Sequence, residues 1–75
     1  MKREELETRF IQEQIPSDLF HLYGGYPNES FCLNFNGKDW EVDYSERGLK
    51  TGFKTFNYEE EACEYLYNLI TRNRY

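Results

Sequence analysis

Residues 39–48 read DWEVDYSERG, and the fold of this 75-residue chain follows from them. Large side chains occupy every second position in this stretch, at Trp40, Val42 and Tyr44. The positions between them are polar, at Glu41, Asp43 and Ser45. This period of two predicts a β-strand with one apolar face and one polar face. We therefore expect the strand to supply both a packing surface and a solvent-exposed acidic surface.

The residues just before this stretch predict a second strand and a hairpin. Phe31, Leu33 and Phe35 alternate with smaller polar residues, and the dipeptide Asn36-Gly37 follows. Asn-Gly favours a two-residue turn because both residues tolerate positive φ. A two-residue loop would pair Leu33 with Trp40, whereas a four-residue loop would shift the partners by two. Either loop keeps the apolar side chains of both strands on the same face.

The remaining elements complete an α+β domain with the order α-β-β-β-α. A third strand is expected at residues 53–56, after a turn or loose connection over residues 47–52. We expect a single domain over residues 1–75, with a helical segment at 2–23, a three-stranded antiparallel meander at 30–56 and a helix at 58–72. The helical segment comprises a polar helix over residues 2–14 and a short helical turn over residues 18–23. An antiparallel meander with helices on one face is a two-layer arrangement.

Of the two predicted helices, the last has the clearer sequence pattern. Its apolar residues recur at helical spacing, at Tyr58, Ala62, Tyr65, Leu66 and Leu69. Glutamates fill its first turn and arginines its end, and both placements favour the helix dipole. Asn57 is suited to cap its start.

The net charge is −5, and the excess of acids lies in the second half of the chain. Residues 39–64 hold eight acids and three bases, while the other residues hold equal numbers of both. A negative surface repels nucleic acid and anionic membranes and attracts basic partners. We therefore expect a protein partner, with neither nucleic acid nor a membrane bound directly.

Groups suited to catalysis or metal binding are few. His21 is the single histidine, and Cys32 and Cys63 stand far apart with no C-x-x-C or H-x-x-x-H pair. Glu41 and Asp43 have the spacing of paired catalytic carboxylates, but nothing marks a substrate cleft beside them. We expect no enzyme activity, no cofactor and no metal site. The cysteine usage and the absence of a signal peptide pattern predict a cytoplasmic protein with free thiols.

The element order also occurs in double-stranded-RNA-binding domains, which grip phosphates with a lysine cluster at the start of the final helix. Here the corresponding residues are Tyr58, Glu59, Glu60 and Glu61. The charge is inverted at that position, so the chain is not expected to bind RNA.

Two segments instead resemble a family of bacterial proteins. They read WEVDYSERGLK and FKTFNYEEEACEYLYNLI, and the likeness extends over residues 31–70. They are similar to small immunity proteins of polymorphic-toxin and contact-dependent growth inhibition systems. The resemblance implies a cytoplasmic protein that binds one cognate toxin domain and neutralises it. The acidic charge favours a basic nuclease as that toxin.

We therefore expect an immunity protein that binds its toxin through an acidic surface. The expected partner-binding residues are Asp39, Glu41, Asp43, Tyr44, Glu46, Glu59, Glu60 and Glu61. The alternative is a small adaptor or regulatory module that binds a protein other than a toxin.

Overall fold

Two helices and a four-stranded sheet form the protein in the computed structural model, which describes residues 1–23, 29–46 and 49–72. The helices are α1 (Arg3–Gln12) and α2 (Glu59–Arg72), and a short 3₁₀ turn lies at Ser17–Leu19. The strands are β1 (Phe20–His21), β2 (Ser30–Phe35), β3 (Trp40–Glu46) and β4 (Leu49–Phe56). They lie in the order β1-β2-β3-β4. The α+β class is as expected, but the sheet has four strands.

The hairpin between β2 and β3 has the longer of the two loops considered above. Phe35 pairs with Trp40 and Leu33 with Val42, so four residues connect the strands. The Asn36 side chain explains the longer loop, because its Oδ1 accepts hydrogen bonds from the amides of Lys38 and Asp39 at 2.9 and 2.8 Å. Gly37 takes a positive φ of 96° within the same loop. The apolar face is the expected one.

The fourth strand, β1, corrects the predicted helical turn over residues 18–23. Helical geometry ends at Leu19, and Phe20 and His21 pair in parallel with Phe31 and Cys32 of β2. The sheet is therefore mixed, with a parallel pair at one edge, and a purely antiparallel meander is wrong. Phe20 and Leu22 are buried on either side of a half-buried His21, which is the alternation of a strand. An apolar run this short carries no periodicity that separates strand from helix.

Strand β4 begins at Leu49, four residues before the predicted start, and a bulge interrupts its alternation. Val42 pairs with Lys54 and Tyr44 with Thr51, so Asp43 stands opposite two residues of β4. Gly52 is one of the two and has a φ of 63°, which glycine adopts at little cost. An extra residue reverses the period-two pattern, and this is why a strand was predicted only over residues 53–56.

The core lies between the sheet and the two helices. Its buried members come from every layer: Leu6, Phe10, Ile15, Phe20, Leu22, Leu33, Val42, Ala62, Cys63, Leu66 and Ile70. Phe10 joins three elements, since its ring centroid lies 4.7 Å from that of Phe20 in β1 and 6.1 Å from that of Tyr67 in α2. Helix α1 packs through Leu6 and Phe10, which are both fully buried, whereas Ile11 is exposed.

Helix α1 ends in a turn that returns its chain to the core. Gln14 has a φ of 60°, and the Ile15 amide donates a 2.9 Å hydrogen bond to the carbonyl of Phe10. This pattern satisfies a carbonyl at the helix end and buries the following apolar side chain. Ile15 is accordingly only 5% exposed.

Candidate partner-binding surface

Sheet register brings the hairpin loop and the start of α2 to one end of the molecule. Trp40 pairs with Phe35 on one side and with Phe56 on the other, and α2 begins three residues after Phe56. The ring of Phe56 lies 5.2 Å from that of Tyr65 in α2. Asp39 and Glu41 flank Trp40, and Glu61 lies one helical turn before Tyr65. Predicted site residues from two distant segments therefore do lie at the same end.

Asp43 does not share that exposure, and the expectation that it lies on a solvent-exposed face is wrong. It pairs with Cys32, on the face opposite Leu33 and Val42, yet only 1% of it is exposed. Ser30, Cys32 and Ser45 on the same face are also at most 1% exposed. Strand alternation determines the face to which a side chain points, but it does not determine whether that face is covered. Asp43 is therefore no part of a partner-binding surface in this conformation.

Glu59 and Glu60 bind the amino-terminal end of α1. The Arg3 amide donates a 2.8 Å hydrogen bond to Glu59 Oε2, and Lys2 Nζ lies 3.7 Å from Glu59 and 3.3 Å from Glu60. A backbone hydrogen bond at Glu60 and then the Lys2 ammonium lower the pKa of the Glu60 carboxyl. Hydrogen bonding to Glu60 in turn raises the pKa of Lys2. These two acids therefore connect α2 to the start of α1, and the Lys2 ammonium compensates part of their charge.

The other predicted site residues differ in their exposure and in their contacts. Glu41 is half-buried and accepts a 2.7 Å hydrogen bond from Asn36 Nδ2 beside the loop. Asp39 is half-buried and Glu61 is exposed. Tyr44 is half-buried, with its ring 4.9 Å from that of Phe31. The side chain of Glu46 lies outside the described residues.

Aromatic side chains at this end were not among the predicted site residues. Phe35 is 46% exposed and Tyr58 is 65% exposed, whereas most apolar side chains of the sheet are covered. The Phe35 ring lies 4.9 Å from the half-buried ring of Trp40. Both exposed residues stand at the end of an element, Phe35 before the hairpin loop and Tyr58 before α2. That position is a sequence signal for exposure, because packing partners become sparse where elements end.

Arg3 holds Trp40 in place. Its guanidinium carbon lies 5.2 Å from the centre of the Trp40 ring and 4.3 Å from the centre of the Tyr23 ring. Its Nη1 also donates a 3.2 Å hydrogen bond to the carbonyl of Leu22. Cation–π contacts of this kind are worth about 0.5–1 kcal/mol at exposed sites. Trp40 itself is half-buried and also packs against the core.

We call this region the hairpin-end surface. It consists of three aromatic residues and three acids: Phe35, Trp40, Tyr58, Asp39, Glu41 and Glu61. The acids and the aromatic rings lie around the same end of the sheet, where Lys38 of the hairpin loop stands next to Asp39. Such a surface can bury aromatic area and attract a positively charged partner.

Chemically reactive side chains are placed differently. His21, Cys32 and Asp43 are register neighbours across β1, β2 and β3. Within the described residues, no group of three or more potential ligands comes close enough to hold a metal ion. Cys32 and Cys63 are free thiols in this structure, and both are buried. Burial and then the Glu59 carboxylate raise the pKa of the Cys63 thiol to about 11.

No family model, curated protein or solved structure matches this chain. Neither helix in the described part of the chain combines the length and the apolar content needed to cross a membrane.

Proposed function

We propose that the protein is a non-enzymatic inhibitor that binds a basic toxin domain, a nuclease, through the hairpin-end surface. The observation that carries this proposal is the group of exposed aromatic side chains with carboxylates beside them. Immunity proteins of bacterial toxin systems, which the sequence resembles, act by such one-to-one binding.

The aromatic residues supply the contact area. Binding energy at protein interfaces concentrates in a few residues, and tryptophan and tyrosine are enriched among them. Tyr58 is the most accessible of the three rings, and the tilted contact between the Phe35 and Trp40 rings limits the freedom of both. A ring that is ordered before binding loses less conformational entropy when the complex forms.

The acids supply the attraction to a basic partner. Asp39, Glu41 and Glu61 make no ion pair with another described residue, in contrast to Glu59 and Glu60. The chain as a whole carries −5, so approach of a basic protein is accelerated by its field. On a nuclease, these carboxylates would occupy positions that bind substrate phosphates. Inhibition then follows because the substrate and the inhibitor compete for the same basic groups.

The test is affinity capture from the native strain with three immobilised baits. They are the wild-type protein, the variant Glu41→Lys/Glu61→Lys and the control variant Glu4→Lys/Glu5→Lys. Both variants carry the same charge, and Glu4 and Glu5 are exposed on α1 and are not among the residues of the hairpin-end surface. We expect the wild type and the control to retain a basic protein with nuclease activity, and the surface variant to lose it.

With the purified partner, the contributions of the acids and of Tyr58 to the affinity can be measured separately. Glu41→Lys/Glu61→Lys and Tyr58→Ala should each weaken binding at least tenfold, with reduced salt dependence only for the charge variant. The control should change the dissociation constant by less than about twofold. Equal losses from the two charge variants, or an acidic partner, would contradict the proposal. A partner without toxic activity would instead favour the adaptor alternative.

A further inference from the structure

A second surface lies between α1 and the edge strand β1. It is an open groove of about 280 Å³. Glu7 and Ile11 of α1 form one wall, Phe20 and Leu22 form the floor, and Tyr23 stands at the rim. The carbonyl of Leu22 accepts a 3.2 Å hydrogen bond from Arg3 Nη1. This groove shares no residue with the hairpin-end surface.

The groove exposes apolar groups that the core does not require. Ile11 is 66% exposed and Tyr23 is 58% exposed; among the large hydrophobic side chains that the structure describes, only Tyr58 has a comparable exposure, at 65%. The packing of α1 is provided by Leu6 and Phe10, which are both fully buried. Neighbouring exposed apolar side chains beside a cavity are characteristic of interaction sites rather than of ordinary surface.

One charge in the groove is uncompensated within the described residues. Glu7 lies one helical turn before Ile11, so both side chains project to the same side of α1. No hydrogen bond or ion pair joins the Glu7 side chain to another described residue, whereas Glu59 and Glu60 both contact Lys2. A basic group placed in the groove would therefore meet an available carboxylate.

Strand β1 adds a third feature. Among the described strands it pairs only with β2, so it forms an edge of the sheet. The outer backbone groups of an edge strand can accept hydrogen bonds from an added chain and donate hydrogen bonds to it. The cavity volume lies near the lower limit of about 300 Å³ for pockets that enclose small molecules. It suits one or two side chains of a longer ligand.

We propose that this groove binds an extended segment of a partner protein that carries an aliphatic residue next to a basic one. The aliphatic side chain packs on Ile11 and Phe20, the basic side chain pairs with Glu7, and the backbone runs along the outer edge of β1. This site is additional to the hairpin-end surface, and its occupant need not belong to the toxin.

The probe for this proposal is a phage-displayed library of random dodecapeptides. It is selected on the wild-type protein after depletion on the variant Glu7→Lys/Ile11→Ser. Enriched peptides are synthesised, their affinities are measured by calorimetry, and their site is located from backbone amide shifts in NMR spectra. We expect an arginine or lysine beside an aliphatic residue in the enriched sequences, and shifts centred on Ile11, His21 and Leu22.

A matched pair of charge reversals provides the control. Glu7→Lys should weaken binding at least tenfold, whereas Glu5→Lys, an exposed position outside the groove, should change it less than about twofold. Ile11→Ser should also weaken binding without lowering the melting temperature, because Ile11 is largely exposed. Failure to enrich any peptide, enrichment without basic residues, or equal effects of Glu7→Lys and Glu5→Lys would overturn the proposal. Concentration-dependent shifts at these amides without peptide would overturn it as well, since the occupant would then be a second copy of this chain.

Discussion

Asp43 and Glu41 allow the most direct test of how the polar face of the hairpin is built. They lie two residues apart on β3 and point to the same face, but Asp43 is 1% exposed while Glu41 is half-buried beside the loop. The substitutions Asp43→Lys and Glu41→Lys make the same change of charge and of side-chain type. Any difference between them therefore reports on burial.

The expected difference is large for a domain of this length. At about 0.05–0.15 kcal/mol per residue, 75 residues have a free energy of unfolding of about 4–11 kcal/mol. Replacing one partner of a buried charged site leaves an uncompensated charge and costs about 3–5 kcal/mol. Glu41→Lys loses a hydrogen bond to Asn36 at an exposed position, which is worth less than about 1 kcal/mol.

Thermal and urea unfolding followed by far-UV circular dichroism measure both variants. One kcal/mol shifts the melting temperature of a small domain by about 4–8 °C, so Asp43→Lys should melt at least about 12 °C below the wild type or be unfolded. Glu41→Lys should stay within about 8 °C of the wild type. Similar melting temperatures for the two variants would refute the burial of Asp43. In that case the strand would present both carboxylates to solvent.

Two further predictions concern the core. Phe10→Ala should lower the free energy of unfolding by about 3–5 kcal/mol, because the buried Phe10 ring joins α1, β1 and α2. Urea titration measures this change, and a loss below about 1 kcal/mol would show that α1 does not pack there. Cys63 should react with iodoacetamide at pH 8 far more slowly in the native protein than in urea, because its pKa is raised from 9.0 to about 11 by burial. The raised pKa also means that its contribution to stability is complete below pH 9 and is lost as the pH rises towards 11, and Cys63→Ala should remove that loss.

Much of the fold could be predicted because local signals agreed with one another. The alternation in β2 and β3 correctly gave the apolar face, since a shift of two residues leaves every side chain on its own side. The loop length could not be decided from Asn36-Gly37 alone. The amides of Lys38 and Asp39 donate hydrogen bonds to the Asn36 side chain and so stabilise the four-residue loop. These contacts are local, but they leave no periodic pattern in the sequence.

Strand β1 and the bulge at Gly52 could not be predicted from the spacing of apolar residues. Two residues are too few to show a period, and β1 exists only because β2 offers it a parallel partner. The bulge reverses the alternation within β4, which makes a continuous strand resemble a short one. Both features depend on contacts with another strand rather than on the sequence of the segment itself.

The candidate site was predicted in part for a similar reason. Composition located the acids, but the partners of Glu59 and Glu60 lie at residues 2 and 3, more than fifty positions away in the chain. The cover over Asp43 is likewise a tertiary property. Pattern analysis assigns a charge to a face, and only the packed structure shows which charges remain available to a partner.

Helix α1 connects the two proposed surfaces through its own stability. A ten-residue helix is marginal in water, and α1 is largely polar, so it depends on docking through Leu6, Phe10 and the contacts of Lys2 and Arg3 with α2. Undocking of α1 would remove one wall of the groove and release Trp40 from Arg3 at the same time. Local opening of this kind is measured by hydrogen exchange of the α1 amides. A ligand in the groove must slow that exchange, and by linkage it must also favour the ordered form of the hairpin-end surface by the same free energy.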